Sequence, residues 1–218
     1  MINIAKHWTC NILQEDVDMS DEDNQELIKV AEAYTAKYAH EPDILDPNRE
    51  GYNFFDDPAP IVRRLEAFVK ERTYLMMEAE GFINPRKYDI EAVGLARVFK
   101  TGERALAHNH RGCDYVGVYY ADLDVVDDGE SNFHVPKGRL LLTDPISQRS
   151  RALNHTQNIS IKPKPKFFVM HPAYVYHTSE PYQGTKDRKF FVFVIRIAEP
   201  IQHKKYKTNT KNFLSFVP

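Results

Sequence analysis

Arg188-Lys-Phe-Phe-Val-Phe-Val-Ile-Arg-Ile-Ala198 is the stretch that decides the fold. Side chains alternate across a strand, so Phe190 and Val192 fall on one face and Phe191 and Phe193 on the other. Both faces are apolar. The first pair turns to an inner face, and the second packs against helices or an outer layer. The same period of two governs the chain from residue 90 onward. Strands are expected at Glu91–Lys100, Tyr115–Leu123, Arg139–Thr143, Ile159–Ile161, Lys166–His171, Tyr174–Ser179 and Lys189–Ala198, separated by clusters of Gly, Pro, Asp and Asn. No amphipathic segment of helical length interrupts them. Short strands at this spacing predict an antiparallel sandwich or barrel, not a parallel sheet.

Upstream the period is different. Residues 6–17 read as a short strand. Ser20, with Asp23 three residues on, opens a helix over 21–38 whose apolar residues include Leu27, Ile28, Val30, Ala31 and Tyr34. His40 to Asp57 reads as a polar loop. Asp57-Pro-Ala-Pro60 starts a second helix, with Asp57 as N-cap, a stripe of Ile61, Leu65, Phe68 and Val69, and Gly81 as its stop. The expected architecture is mainly β with flanking helices. It forms one domain over 1–218: an N-terminal strand and supporting helices at 1–89, a β core at 90–198 and a tail at 199–218.

Composition fits an ordinary globular protein, with 42% apolar and 28% charged residues. A net charge of −2 does not suggest a nucleic-acid binder. The lysines of 162–166 and of the tail (Lys204, Lys205, Lys207, Lys211) read as a solvated edge and tail. Cys10 and Cys113 sit in unrelated segments, which argues against a disulfide and for a reducing cytoplasm. No apolar run is long enough for a membrane helix, and no secretory signal is visible.

The chemistry gathers around His108-Asn-His110, with His177 67 residues further on and Arg188 11 residues beyond that. Residues i and i+2 of a strand share a face, so His108 and His110 can point at one ion. His177 supplies a third ligand if the chain returns across a sheet. Imidazole suits iron, zinc, copper or nickel, so the donors do not choose the ion. Asp114 is an alternative carboxylate ligand. Arg188 enters an apolar strand, and its planar fork suits a carboxylate. His134, His155 and His203 read as exposed, His171 as a packing or hydrogen-bonding residue, and Cys113 as an inert or weakly metal-proximal thiol.

These residues also carry a family resemblance. Arg97-Val-Phe-Lys-Thr-Gly102, His108-Asn-His110 and Val116-Gly-Val-Tyr-Tyr120 resemble the metal-binding half of the prolyl-hydroxylase-like 2-oxoglutarate/Fe(II) dioxygenases. Gly138-Arg-Leu-Leu-Leu-Thr-Asp-Pro145, Phe168 through Pro181 and Arg188-Lys-Phe-Phe-Val-Phe193 resemble its later strands. The resemblance covers about residues 90–198. It implies a double-stranded β-helix, or jelly roll, with His108, His110 and His177 on Fe(II), and Arg188 and Tyr120 on the 2-oxoglutarate cosubstrate. Dioxygen would be consumed, 2-oxoglutarate would leave as succinate and carbon dioxide, and a substrate of unspecified class would be hydroxylated. Most of that superfamily has Asp where this chain has His110, and the subgroup resembled shares His-x-His. The segments Asp122–Lys137 and Asp144–Thr156 are expected to form a substrate lid. A cupin-like metal protein that does not use 2-oxoglutarate is the other reading, and Arg188 separates the two.

Overall fold

The computed structural model describes residues 10–38, 53–125, 138–143 and 158–200. Two α-helices, α1 (Asp21–Tyr38) and α2 (Pro60–Ala79), accompany eight strands: β1 (Leu13–Asp16), β2 (Tyr88–Phe99), β3 (Tyr115–Asp122), β4 (Leu140–Thr143), β5 (Asn158–Ile161), β6 (Phe167–Pro172), β7 (His177–Ser179) and β8 (Arg188–Pro200). All pairings are antiparallel. The larger sheet has the order β1-β6-β3-β8-β2, and the smaller has β5-β4-β7. The smaller sheet gains a fourth rung where His108 forms an isolated bridge with His177. Two facing antiparallel sheets with these crossovers make the expected jelly roll.

The strand alternation read at β8 holds. Phe191 and Phe193 belong to the core between the larger sheet and the helices, with Leu27, Ile61, Leu65 and Val69. Phe190 belongs to the interior of the roll, with Val118, Tyr120, Leu140, Leu142 and Val169, and Val192 packs against it. A strand apolar on both faces is thus buried between a helical layer and a second sheet. Ser20 starts α1 as expected, its hydroxyl accepting the Asp23 amide at 3.1 Å.

Several boundaries move. Proline-rich Asp57–Pro60 does open α2, but Ala59 is its N-cap, and the Asp57 carboxylate accepts the Ala59 amide at 2.9 Å instead. Phe54 and Phe55, expected in a polar loop, form a 3-10 turn (Phe54–Asp56) and are buried. Asn53 fixes that turn by accepting the amides of Phe55 at 3.1 Å and Gly94 at 2.8 Å. Gly94 leaves the room: a Cβ there would lie 3.3 Å from the Phe55 ring. The expected strand Tyr174–Ser179 begins only at His177. Tyr174 and Tyr176 alternate like strand residues, but they are exposed, and Val175 returns its amide to Pro172 in a turn. Strand 6–17 reduces to Leu13–Asp16 among the described residues. His7, His40, His134, His155, His203, the tail lysines and most of both expected lid segments lie outside them. No helix of the described residues is long and apolar enough to cross a membrane.

Candidate metal centre

His108, His110 and His177 converge. One ring nitrogen from each lies within 4.8 Å of the others. The backbone brings them together. His108 and His177 exchange both of their main-chain hydrogen bonds, at 3.0 and 2.9 Å. The His110 amide donates to Ala173 O at 3.0 Å, which ties the second histidine to the β6–β7 turn. His108 and His110 are therefore not on a regular strand as expected. One bridge and one turn contact hold them in an extended run that presents both rings to the same side. Ring centroids are 4.3 Å apart for His108–His177, 5.0 Å for His108–His110 and 5.3 Å for His110–His177.

The donor set fits a transition-metal ion. His108 Nδ1 lies 2.6 Å from Leu106 O, and His177 Nδ1 lies 3.1 Å from Val175 O. A carbonyl can only accept, so each Nδ1 carries the proton and each Nε2 keeps a bare lone pair. His110 Nε2 is buried with no hydrogen-bond partner among the described residues. A buried polar atom is normally satisfied, so an orphan beside two bare lone pairs marks a place for an ion. Burial, then the neighbouring His108 and His171 rings, pushes His110 down to about 4. Burial, then His171 and His108, pushes His177 down to about 2. Imidazoles held neutral are competent ligands near neutral pH.

Asp114 does not join the cluster. Its carboxylate accepts the Ile197 amide at 2.7 Å, and its own amide and carbonyl are spent on Ile195 and Ala173. Cys113 is a free thiol that burial pushes up to about 11, so it stays protonated and inert.

Arg188, at the start of β8, is only 2% exposed. Its partner across the ladder is Phe99, and it shares the inner face with Phe190. Its Nη1 donates to Gly138 O at 2.9 Å, while Nε is buried without a partner among the described residues. The guanidinium carbon lies 4.8 Å from the Tyr120 ring centroid and 5.2 Å from that of Phe190. Burial raises the Tyr120 hydroxyl, and the nearby Arg188, which hydrogen-bonds it, opposes that shift. Among the described residues no carboxylate pairs with this guanidinium, which leaves it with unspent donors and an unbalanced charge. It suits a carboxylate brought in by a ligand.

Three features of this interior were not read from the sequence. Gly138 adopts φ +69° and turns its carbonyl to Arg188, and a Cβ there would lie 3.4 Å from Nη1. Tyr182 is buried, with Arg188 6.0 Å from its ring centroid, and its hydroxyl accepts the Asp124 amide at 2.9 Å. His171 is fully buried and hydrogen-bonded, in keeping with a packing or hydrogen-bonding residue, but its nearness to His177, 4.8 Å between ring centroids, was not read. The period of β6 could have shown its inward direction, but nothing local showed its neighbour.

Comparison with known proteins agrees with this interior. Residues 96–193 match the family model described as "Putative 2OG-Fe(II) oxygenase". No curated protein matches. Among solved structures, a Pseudomonas putida prolyl-4-hydroxylase is similar at 12% identity and a TM-score of 0.54, over 88% of this chain and 87% of that one. A Trichoplax adhaerens prolyl hydroxylase, solved with a peptide of hypoxia inducible factor, is similar at 10% identity and a TM-score of 0.52, over 85% and 83%. The alpha-ketoglutarate-dependent carbocyclase SnoK of nogalamycin biosynthesis is similar at 11% identity and a TM-score of 0.55, over 86% and 79%. At these identities the structural likenesses establish the jelly-roll fold. The sequence match over residues 96–193 is to the 2OG-Fe(II) oxygenase family, whose members are dioxygenases that require Fe(II) and 2-oxoglutarate.

Proposed function

We propose that this protein is a hydroxylase in which His108, His110 and His177 hold Fe(II) and Arg188, with Tyr120, holds the distal carboxylate of 2-oxoglutarate. The observation that carries the reading is a pairing. Three imidazole nitrogens converge on one side of the roll, and a buried guanidinium with no carboxylate partner among the described residues faces the same interior. When bound, iron supplies the chemistry that joins dioxygen, 2-oxoglutarate and a substrate C–H bond to give succinate, carbon dioxide and an alcohol. One oxygen atom of dioxygen ends in succinate and the other in the alcohol, so atoms and electrons balance.

The protein's own part is binding and orientation. Leu106 O and Val175 O fix the tautomers of His108 and His177, so their Nε2 atoms stay available. Gly138 O holds Arg188 in place and leaves its remaining donors to a carboxylate, a two-point contact that Lys would not reproduce. Tyr120 flanks the guanidinium, and the apolar walls of Val118, Val169 and Phe190 exclude water. A third neutral imidazole where most of the superfamily has a carboxylate leaves the ion its full +2 charge. A bound 2-oxoglutarate dianion balances that charge. The two described cysteines are free, which supports a cytoplasmic, reducing setting.

The test is anaerobic titration of Fe(II)-loaded protein with 2-oxoglutarate, followed by a succinate assay in air. The reading expects a visible charge-transfer band that His177→Ala abolishes, and slow succinate formation that needs both Fe(II) and oxygen. Tight metal binding with no band and no succinate would sink it and favour a cupin-like metal protein that does not use 2-oxoglutarate.

A further inference from the structure

His171 is a fourth imidazole that the ligand set does not use. It lies on β6 opposite Val116 of β3. Alternation along β6 turns it inward with Phe167 and Val169, which line the interior, while Phe168 and Met170 pack toward the helices. Its neighbours along that face of β6, Phe167 and Val169, are apolar. The residue is instead a histidine with no exposed surface. Its Nδ1 lies 2.9 Å from Pro172 O, which can only accept, so Nδ1 carries the proton and Nε2 presents a lone pair. That Nε2 is buried and has no hydrogen-bond partner among the described residues. The ring meets His177 edge to face, at 62°. Two residues later the same chain holds the His110 amide through Ala173 O. His171 thus touches one proposed ligand by its ring and sits on the turn that positions another.

Deepening the metal reading above, on which this rests, we propose that His171 is a positioning residue of the metal centre. Its Nε2 accepts a hydrogen bond from an ordered internal water beside the ion, and its ring fixes the plane of His177. A buried polar atom of this kind is commonly satisfied by internal water. Partners one layer outside a metal's ligands typically change its affinity by about ten- to a hundredfold. Among the described residues the convergent set comprises His108, His110 and His177, and His171 stands outside it.

Cobalt(II) added to the metal-free full-length protein reads this directly, through its visible absorption bands and its affinity. His171→Phe keeps the ring shape and removes the lone pair, and His171→Gln restores an acceptor. The proposal expects His171→Phe to shift the bands and to weaken cobalt(II) binding about tenfold or more, with His171→Gln recovering most of the loss. Wild-type bands and affinity in a folded His171→Phe protein would overturn it. If His171→Phe does not fold, nitrogen NMR of the wild-type protein replaces it. The His171 Nε2 resonance must then move toward the hydrogen-bonded range when zinc(II) is added, and an unmoved resonance overturns the proposal. Cobalt(II) binding that is unaffected by His177→Ala would instead overturn the underlying metal assignment, and this inference with it.

Discussion

Arg188 and the three converging histidines carry opposite electrostatic problems, and each yields a prediction. Arg188 is a buried cation whose Nε has no partner among the described residues. Arg188→Ala should weaken 2-oxoglutarate binding to the iron-loaded protein by about 2–5 kcal/mol, read by isothermal titration. An unchanged affinity would return Arg188 to a structural role. Burial holds His110 and His177 neutral, with folded-state values near 4 and 2, against 6.5 when free. The sign follows from linkage. Below pH 6.5 the unfolded chain takes up protons that the folded chain refuses, so the stability these groups contribute is fully present above 6.5 and is lost as pH falls toward their folded values. The melting temperature of the metal-free protein should therefore drop between about pH 6.5 and pH 4. His110→Phe should flatten part of that slope in a differential-scanning titration.

At the scale of elements, β3 is tightly constrained. It lies between β6 and β8, and all but its last residue are buried. Gly117 faces the helical layer, and a Cβ there would lie 3.0 Å from one Phe168 ring carbon and 3.3 Å from the Phe193 ring. Gly117→Ala should destabilise by about 1–3 kcal/mol in chemical denaturation, the usual cost of overpacking. Metal affinity at any given folded fraction should be nearly unchanged. The strands were legible because burial on one or both faces forces alternation, which β8 displays from Phe190 to Phe193. The helix start at Ser20 was legible because a cap is a local interaction. The Phe54–Phe55 turn was hidden. Its stability comes from Asn53 reaching Gly94, and nothing in an Asp- and Asn-rich stretch announces a partner 41 residues away. The Tyr174–Tyr176 segment misled for the converse reason. Its alternation is real, yet it ends in solvent, with Tyr174 56% exposed. The site was legible as residue types and order. The Gly138–Arg188 contact and the nearness of His171 to His177 were not, because both depend on which strands face each other.

Over the whole molecule, the described residues put the helical layer and the candidate metal interior on opposite faces of the larger sheet. Phe191 and Phe193 face one side of β8, and Arg188 and Phe190 face the other. Phe55 stacks on Phe193 at 5.4 Å between centroids and lies outside the roll. Phe55→Ala should cost about 3–5 kcal/mol of stability by the cavity it leaves. In the fraction that stays folded, 2-oxoglutarate affinity should be close to wild type. A matching loss of affinity would show that the layer shapes the interior. The strand order carries one more consequence. β8 is the last strand described, yet it lies between β2 and β3 in the larger sheet. While the chain is being synthesised, β2 and β3 cannot zip to each other in their native places. Both keep a raw edge until residue 200 has cleared the ribosome. A premature stop anywhere before Arg188 therefore yields a sticky, unclosed intermediate and not a smaller working enzyme. The newborn chain carries these open edges until β8 arrives to fill the gap.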